Sequence, residues 1–107
     1  MEKTVSSGYW SCRDMAIAEI HNERNRQVEL QLDGKFTHTL SDDGMTDYGR
    51  VTAIMEEVGE VSRACLVRAG EATDDIDASD AALRKELSQI AALSLAWMER
   101  LFGEDGR

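Results

Sequence analysis

The sequence predicts an all-α protein: a helical bundle of three main helices completed by a partner subunit. Three observations carry this. The 107 residues contain no proline, so nothing interrupts a helix from within. One segment, residues 47–69, repeats its apolar side chains at steps of three and four, the period of a helix with one buried face. Gly34, Gly70 and Gly103 stand where three helical segments are expected to stop. The length suits a single domain, 1–107, with its core over about residues 11–102 and loose ends.

The first helix is expected over Ser11 to Leu32, with Ser11 as N-cap and Asp14 as its capping-box-like partner. Met15, Ile17, Ala18, Ile20 and Val28 form only a ragged stripe, and His21 to Gln27 is polar throughout. A helix that polar either faces water or lines a wet site. Residues 33–46 follow as a loop, marked by the turn dipeptides Asp33-Gly34 and Asp43-Gly44. Within it Phe36, His38 and Leu40 alternate with polar residues, which suits a short extended piece or a flap.

The second helix, from Asp47 to Ala69, has Thr46 as N-cap and Gly70 as its stop. Its stripe is Val51, Ile54, Met55, Val58, Val61, Cys65, Leu66 and Ala69. At about 100° per residue the stripe centres near Val58, and the acids are expected to face a different neighbour. Glu57 falls on the flank. Glu60 falls almost opposite, near Ala53 and Ala64, and such small residues let a second element approach closely.

An acidic loop, 70–79, leads to a third helix from about Asp80 to Phe102, capped by Ser79 or Asp80. Its centre, Ile90 to Met98, reads IAALSLAWM and is apolar on nearly every side. A helix of that kind is buried all round, with Trp97 in the core. One chain of this size has too few helices to surround it. A second copy is the simplest cover, giving a helical dimer.

The formal net charge of −9 argues against a nucleic-acid backbone as partner. It is compatible with metal-complexed nucleotides and equally with plain solubility. No apolar run is long enough to cross a bilayer, and Met1 to Gly8 is polar, unlike a secretion signal. Cys12 and Cys65 show no disulfide framework and read as free thiols of a reducing cytoplasm. No Cys or His lies at zinc-ligand spacing from His21, which reads as a polar-face residue.

Two pairs of oxygen-bearing side chains carry the candidate chemistry. Glu57 and Glu60 are three apart, which places them on adjacent turns of one face. Alone, that spacing describes a solvated acidic face as readily as a site. Glu86 heads a stripe made of Ile90, Leu93 and Trp97. A carboxylate there is costly unless it is paired or bound to a cation. Gln89 lies three residues on. If the second and third helices pack antiparallel, the pairs meet and offer four oxygens to a hard divalent cation. The alternative is an ion pair from Glu86 to Arg84, Lys85 or an arginine of the first helix.

Glu-x-x-Glu in MEEVGEVSRA, followed by Glu-x-x-Gln in LRKELSQIAALSLAWME, resembles the MazG-like all-α nucleoside triphosphate pyrophosphohydrolases. The likeness is closest to the short single-domain proteins of phages and bacteria. It covers roughly residues 17–102, including the polar ERNRQ and the loop FTHTLSDDGM. It implies a helical homodimer or tetramer. It also implies Mg²⁺- or Mn²⁺-dependent cleavage of an NTP or dNTP to the monophosphate and pyrophosphate. By the same resemblance Glu57, Glu60 and Glu86 hold metal, and Glu56 is a base or water-positioner. The family has Asp where this chain has Gln89. An amide carbonyl can still ligate a hard cation, with one less negative charge. A catalytically weak dimer that binds nucleotide or a protein is therefore the second expectation. Lys85 either meets a phosphate or is simply solvated. Arg24 and Arg26 either reach phosphates or pair with acids. His38, with Phe36, either flanks a base or sits on the loop surface.

Overall fold

The computed structural model describes residues 7–34 and 44–105, with side chains over 11–34 and 44–103. All regular structure among them is helical: α1 (Ser7–Leu32), α2 (Asp47–Arg68) and α3 (Asp80–Asp105).

Three helix ends follow the capping chemistry closely. Thr46 is extended and its Oγ1 accepts the Gly49 N–H at 3.0 Å. At the other end of α2, Glu71 N–H reaches Leu66 O and Gly70 N–H reaches Val67 O. That double bond pattern needs a left-handed residue at Gly70, whose φ is +76°, and glycine adopts it without penalty. Ser79 caps α3, with its Oγ accepting the Ala82 N–H at 3.2 Å.

Two ends differ from expectation. α1 begins at Ser7, so Ser11 lies within the helix and caps nothing. α3 runs through Gly103 to Asp105. Glycine only weakens a helix, by about 1 kcal/mol. Unlike Gly34 and Gly70, Gly103 does not take up the left-handed conformation that ends one.

α3 is the centre of the arrangement. α1 and α2 each pack against it and make no contact with one another among the described residues. α2 and α3 are antiparallel: Arg68 at the end of α2 holds Asp80 at the start of α3 at 2.8 Å, and Glu60 lies beside Glu86. α1 crosses α3 instead of running alongside it. Glu19 and Arg24 are about 7.5 Å apart along α1, yet their partners Arg84 and Glu99 are about 22 Å apart along α3.

The interior is small. Among the described residues the buried apolar ones are Ala64, Ala92 and Ala96, and no large side chain is fully buried. The radius of gyration is 16.7 Å, against about 13 Å for a compact chain of this length. The acids and the apolar stripe of α2 face different sides, and only Ile54 and Val61 of the stripe are half-buried. Val51, Met55, Val58, Cys65 and Leu66 are exposed, while Arg50 and Ala64 are buried. Contact with α3 is made through the face bearing Ala64 and the acids, because only small residues there let the two helices close. The centre of α3 is likewise covered on two sides only. Ala92 and Ala96 are inaccessible, whereas Leu87, Met98 and Leu101 remain about half exposed.

Candidate metal centre

The antiparallel contact brings Glu57 and Glu60 of α2 against Glu86 of α3. One carboxylate oxygen from each lies within 4.8 Å of the other two. Opposite ligands of an octahedral Mg²⁺ stand about 4.2 Å apart, so small side-chain rotations would seat all three on one ion. The donors are all oxygen and charged, which fits Mg²⁺, Mn²⁺ or Ca²⁺ and not a soft metal. Glu57 and Glu86 are half-buried and Glu60 is exposed, so an ion held here would keep water or substrate ligands on its open side.

The electrostatics report crowding. All three carboxyls hold their protons more tightly than an ordinary glutamate. For Glu57 the main cause is burial; the hydrogen bond with Glu86 opposes it, and the charges of Glu60 and Glu56 add to it. For Glu86 burial again leads, with Glu57 adding to it and the Lys85 charge opposing it. For Glu60 the cause is the adjacent Glu86 carboxylate. Like charges gathered this closely favour either a shared proton or a cation.

Gln89 joins the same cluster. Its amide lies 3.0 Å from Oε2 of Glu57 and 3.0 Å from Oε2 of Glu86. Two carboxylate acceptors call for the nitrogen end of the amide, so Nε2 donates to both. Without an ion, Gln89 thus ties an acid of α2 to an acid of α3. Turning the amide over would present its carbonyl oxygen to a cation instead.

The other expected residues separate. Glu56 is exposed at the edge of the cluster, where its charge raises the proton affinity of Glu57 and Glu60. Lys85 points to the α1 side of α3, into a cleft with Asn22, Arg26, Arg84 and Ser88. Arg24 is buried and grips both oxygens of Glu99 at 2.9 Å. Glu99 is thirteen residues beyond Glu86, about 20 Å along α3, so Arg24 braces α1 on α3 far from the acids. Arg26 is bound to Glu23, which raises the proton affinity of its guanidinium through that hydrogen bond. His38 and Phe36 lie outside the described residues.

One cation beside the acids was missed by sequence reasoning. A cleft of about 290 Å³ opens from the cluster, lined by Glu60, Arg63, Ala64, Ile76, Asp77, Ala82 and Glu86. Arg63 touches Asp74 at 3.4 Å at the surface, a pairing of little strength in water, about 0–1 kcal/mol. The signal was its place three residues after Glu60, on the next turn of α2.

Comparison of the chain with protein-family models, with characterised proteins and with solved structures finds no match. The helices and the acid cluster therefore carry the functional argument by themselves. No described helix is long and apolar enough to cross a membrane.

Proposed function

We propose that the chain is a metal-dependent nucleotide pyrophosphohydrolase of MazG-like type. It would cleave an NTP or dNTP to the monophosphate and pyrophosphate. The observation that supports this reading is the meeting of Glu57, Glu60 and Glu86 from two antiparallel helices, the pairing that the resemblance requires. In this reading the three carboxylates hold Mg²⁺ or Mn²⁺. Held there, such an ion would neutralise charge on the triphosphate and ease deprotonation of the attacking water. Glu56 accepts a proton from the attacking water at the open edge of the cluster. Arg63, on the wall of the adjoining cleft, steadies phosphate oxygens. Lys85 and Arg24 face away from the acids in the single chain, and a role for either would need a second copy to bring substrate to them.

The test is pyrophosphate release across a panel of canonical and modified NTPs and dNTPs with Mg²⁺ or Mn²⁺. Metal-dependent turnover is expected. Glu57→Gln should reduce it at least about a hundredfold, since even outer-shell partners of metal ligands are worth 10–100-fold. Absence of turnover for every substrate, with no metal binding by calorimetry, would sink the proposal.

A second reading has its own support. The Gln89 amide already bridges Glu57 and Glu86, standing where a cation would otherwise relieve them. That favours a weakly catalytic protein that binds nucleotide or a protein partner. Gln89→Asp separates the two readings: a rise in turnover from near zero favours the binding protein, and little change favours the enzyme.

A further inference from the structure

The side of α3 turned away from the acids carries a second cleft. At about 100° per residue, Ala81, Arg84, Lys85 and Ser88 fall on the half of α3 opposite Glu86. On α1, Glu19, Asn22, Glu23 and Arg26 share one face at steps of three and four. Where these two faces cross they line a space of about 330 Å³, at the lower end of the range for ligand sites, about 300–1,000 Å³.

Its charge runs against that of the chain. Three cations, Arg26, Arg84 and Lys85, stand among two carboxylates, Glu19 and Glu23. The lining is therefore positive by one, in a chain of net charge −9. The cleft beside the acids sets Arg63 against Glu60, Asp77 and Glu86, and is negative by two. The cleft at the Arg24–Glu99 pair balances its two charges.

The two carboxylates hold the guanidinium groups in place without using all their donors. Glu23, whose side chain is 10% exposed, takes Nε and Nη2 of Arg26 at 2.9 and 2.6 Å. Nη1 of Arg26 is left over. Glu19 takes only Nε of Arg84, at 2.7 Å, which leaves both of its Nη groups. Lys85 forms no ion pair among the described residues. Ser88 is buried in the lining and its hydroxyl donates to Lys85 O at 2.7 Å, so it makes no competing demand. Charged donors from two helices thus surround one space and lack acceptors. A carboxylate brings two oxygens and one charge. A phosphate group brings at least three oxygens and up to two charges, and guanidinium forks match its geometry.

We propose that the α1–α3 cleft binds a phosphate group, free or linked to a second one, through Arg26, Arg84 and Lys85. Sequence reasoning offered Lys85 and Arg26 singly to the phosphates of a substrate. The fold gathers them with Arg84 on the far side of α3, where the acids do not reach. The site is separate from the metal centre and does not rest on the pyrophosphohydrolase reading.

The test is calorimetry of the full chain with inorganic phosphate, in the presence of a chelator so that no metal bridges the anion to the acids. Saturable binding of one phosphate per chain is expected, with Kd at or below about 1 mM. Lys85→Gln breaks no ion pair and should weaken binding about tenfold, the worth of one charge-assisted contact. Arg84→Gln should weaken it as much. Arg84→Lys keeps the charge without the fork and should weaken it less. Arg63→Ala, on the side of the acids, should bind as the parent does. Pyrophosphate is the second probe: tighter binding than phosphate assigns the site to linked phosphate groups, and binding no tighter assigns it to a single one. Absence of saturable binding for both probes would overturn the proposal. So would binding that survives both Lys85→Gln and Arg84→Gln, or that Arg63→Ala abolishes. Neither metal nor turnover enters these measurements, so failure here leaves the pyrophosphohydrolase reading standing, and the reverse holds too.

Discussion

α3 is held by two contacts of opposite character. Against α1 it meets complementary charges: Arg24 grips Glu99 with two hydrogen bonds, and Arg84 reaches Glu19 at 2.7 Å. Against α2, beyond the Arg68–Asp80 pair at the turn, it meets its own kind, with Glu86 facing Glu57 and Glu60. The first contact satisfies its charges within the chain. The second is left with an excess of negative charge that only a proton, the Gln89 amide or a cation relieves. Structural ion pairs and functional sites can use the same residue types; what separates them is whether the charges are already matched.

Several measurements would break or sharpen that contrast. The largest effect is expected from Gln89→Asp. It removes two hydrogen bonds and adds a fourth negative charge, so Mg²⁺ affinity by calorimetry should rise about 10–100-fold. The ion-free protein should be less stable than the parent. If affinity is unchanged, the cluster is not a cation site.

Next comes the α1 contact. Glu99→Ala removes two hydrogen bonds from a buried guanidinium and should cost about 1–3 kcal/mol by urea unfolding. It should leave metal affinity unaltered, because Glu99 lies far along α3 from the acids. A matching loss of metal binding would mean that the two contacts act as one unit.

A smaller effect concerns pH. The clustered carboxyls bind protons more tightly when folded than when unfolded. The folded chain therefore binds more protons from these groups, and their contribution to stability falls as pH rises from about 4.3 toward the raised values. Glu60→Gln should raise the ion-free Tm at pH 7.5 by on the order of a few degrees. The gap should close toward pH 4, and Mg²⁺ should stabilise the parent more than the variant. A gap that is flat across this range would mean that Glu60 feels no repulsion from Glu86.

The smallest effect is that of Arg63→Ala. Its ion pair is at the surface, so stability should move by less than about 1 kcal/mol. If turnover is established, KM should rise several-fold with kcat little changed. An unaltered KM would remove Arg63 from the phosphate path.

The sequence made some of this legible and some not. The three helices could be read because nothing interrupts them, and because Thr46, Gly70 and Ser79 have the chemistry of helix ends. The acid pairs could be read because spacing of three fixes a shared face whatever surrounds the helix. The inward face of α2 could not be read from periodicity. An apolar stripe shows where the most apolar area waits to be buried, not which neighbour buries it, and α3 took the side with Ala64. The roles of Arg24 and Lys85 were equally out of reach. A single side of α3 decides whether a cation serves the acids or α1, and that side depends on how α1 crosses. Gly103 was read as a stop from its identity alone, without the left-handed turn that makes Gly70 one.

Ala92 and Ala96 are wholly inaccessible, and their smallness sets the distance at which the axes of the bundle run. They act as a gauge block lying between one and three turns from the acids. The two carbons added by Ala96→Val would wedge the rods apart by a fraction of an ångström and widen the gap that the carboxylate oxygens must span. The ion would then sense two methyl groups that it never touches.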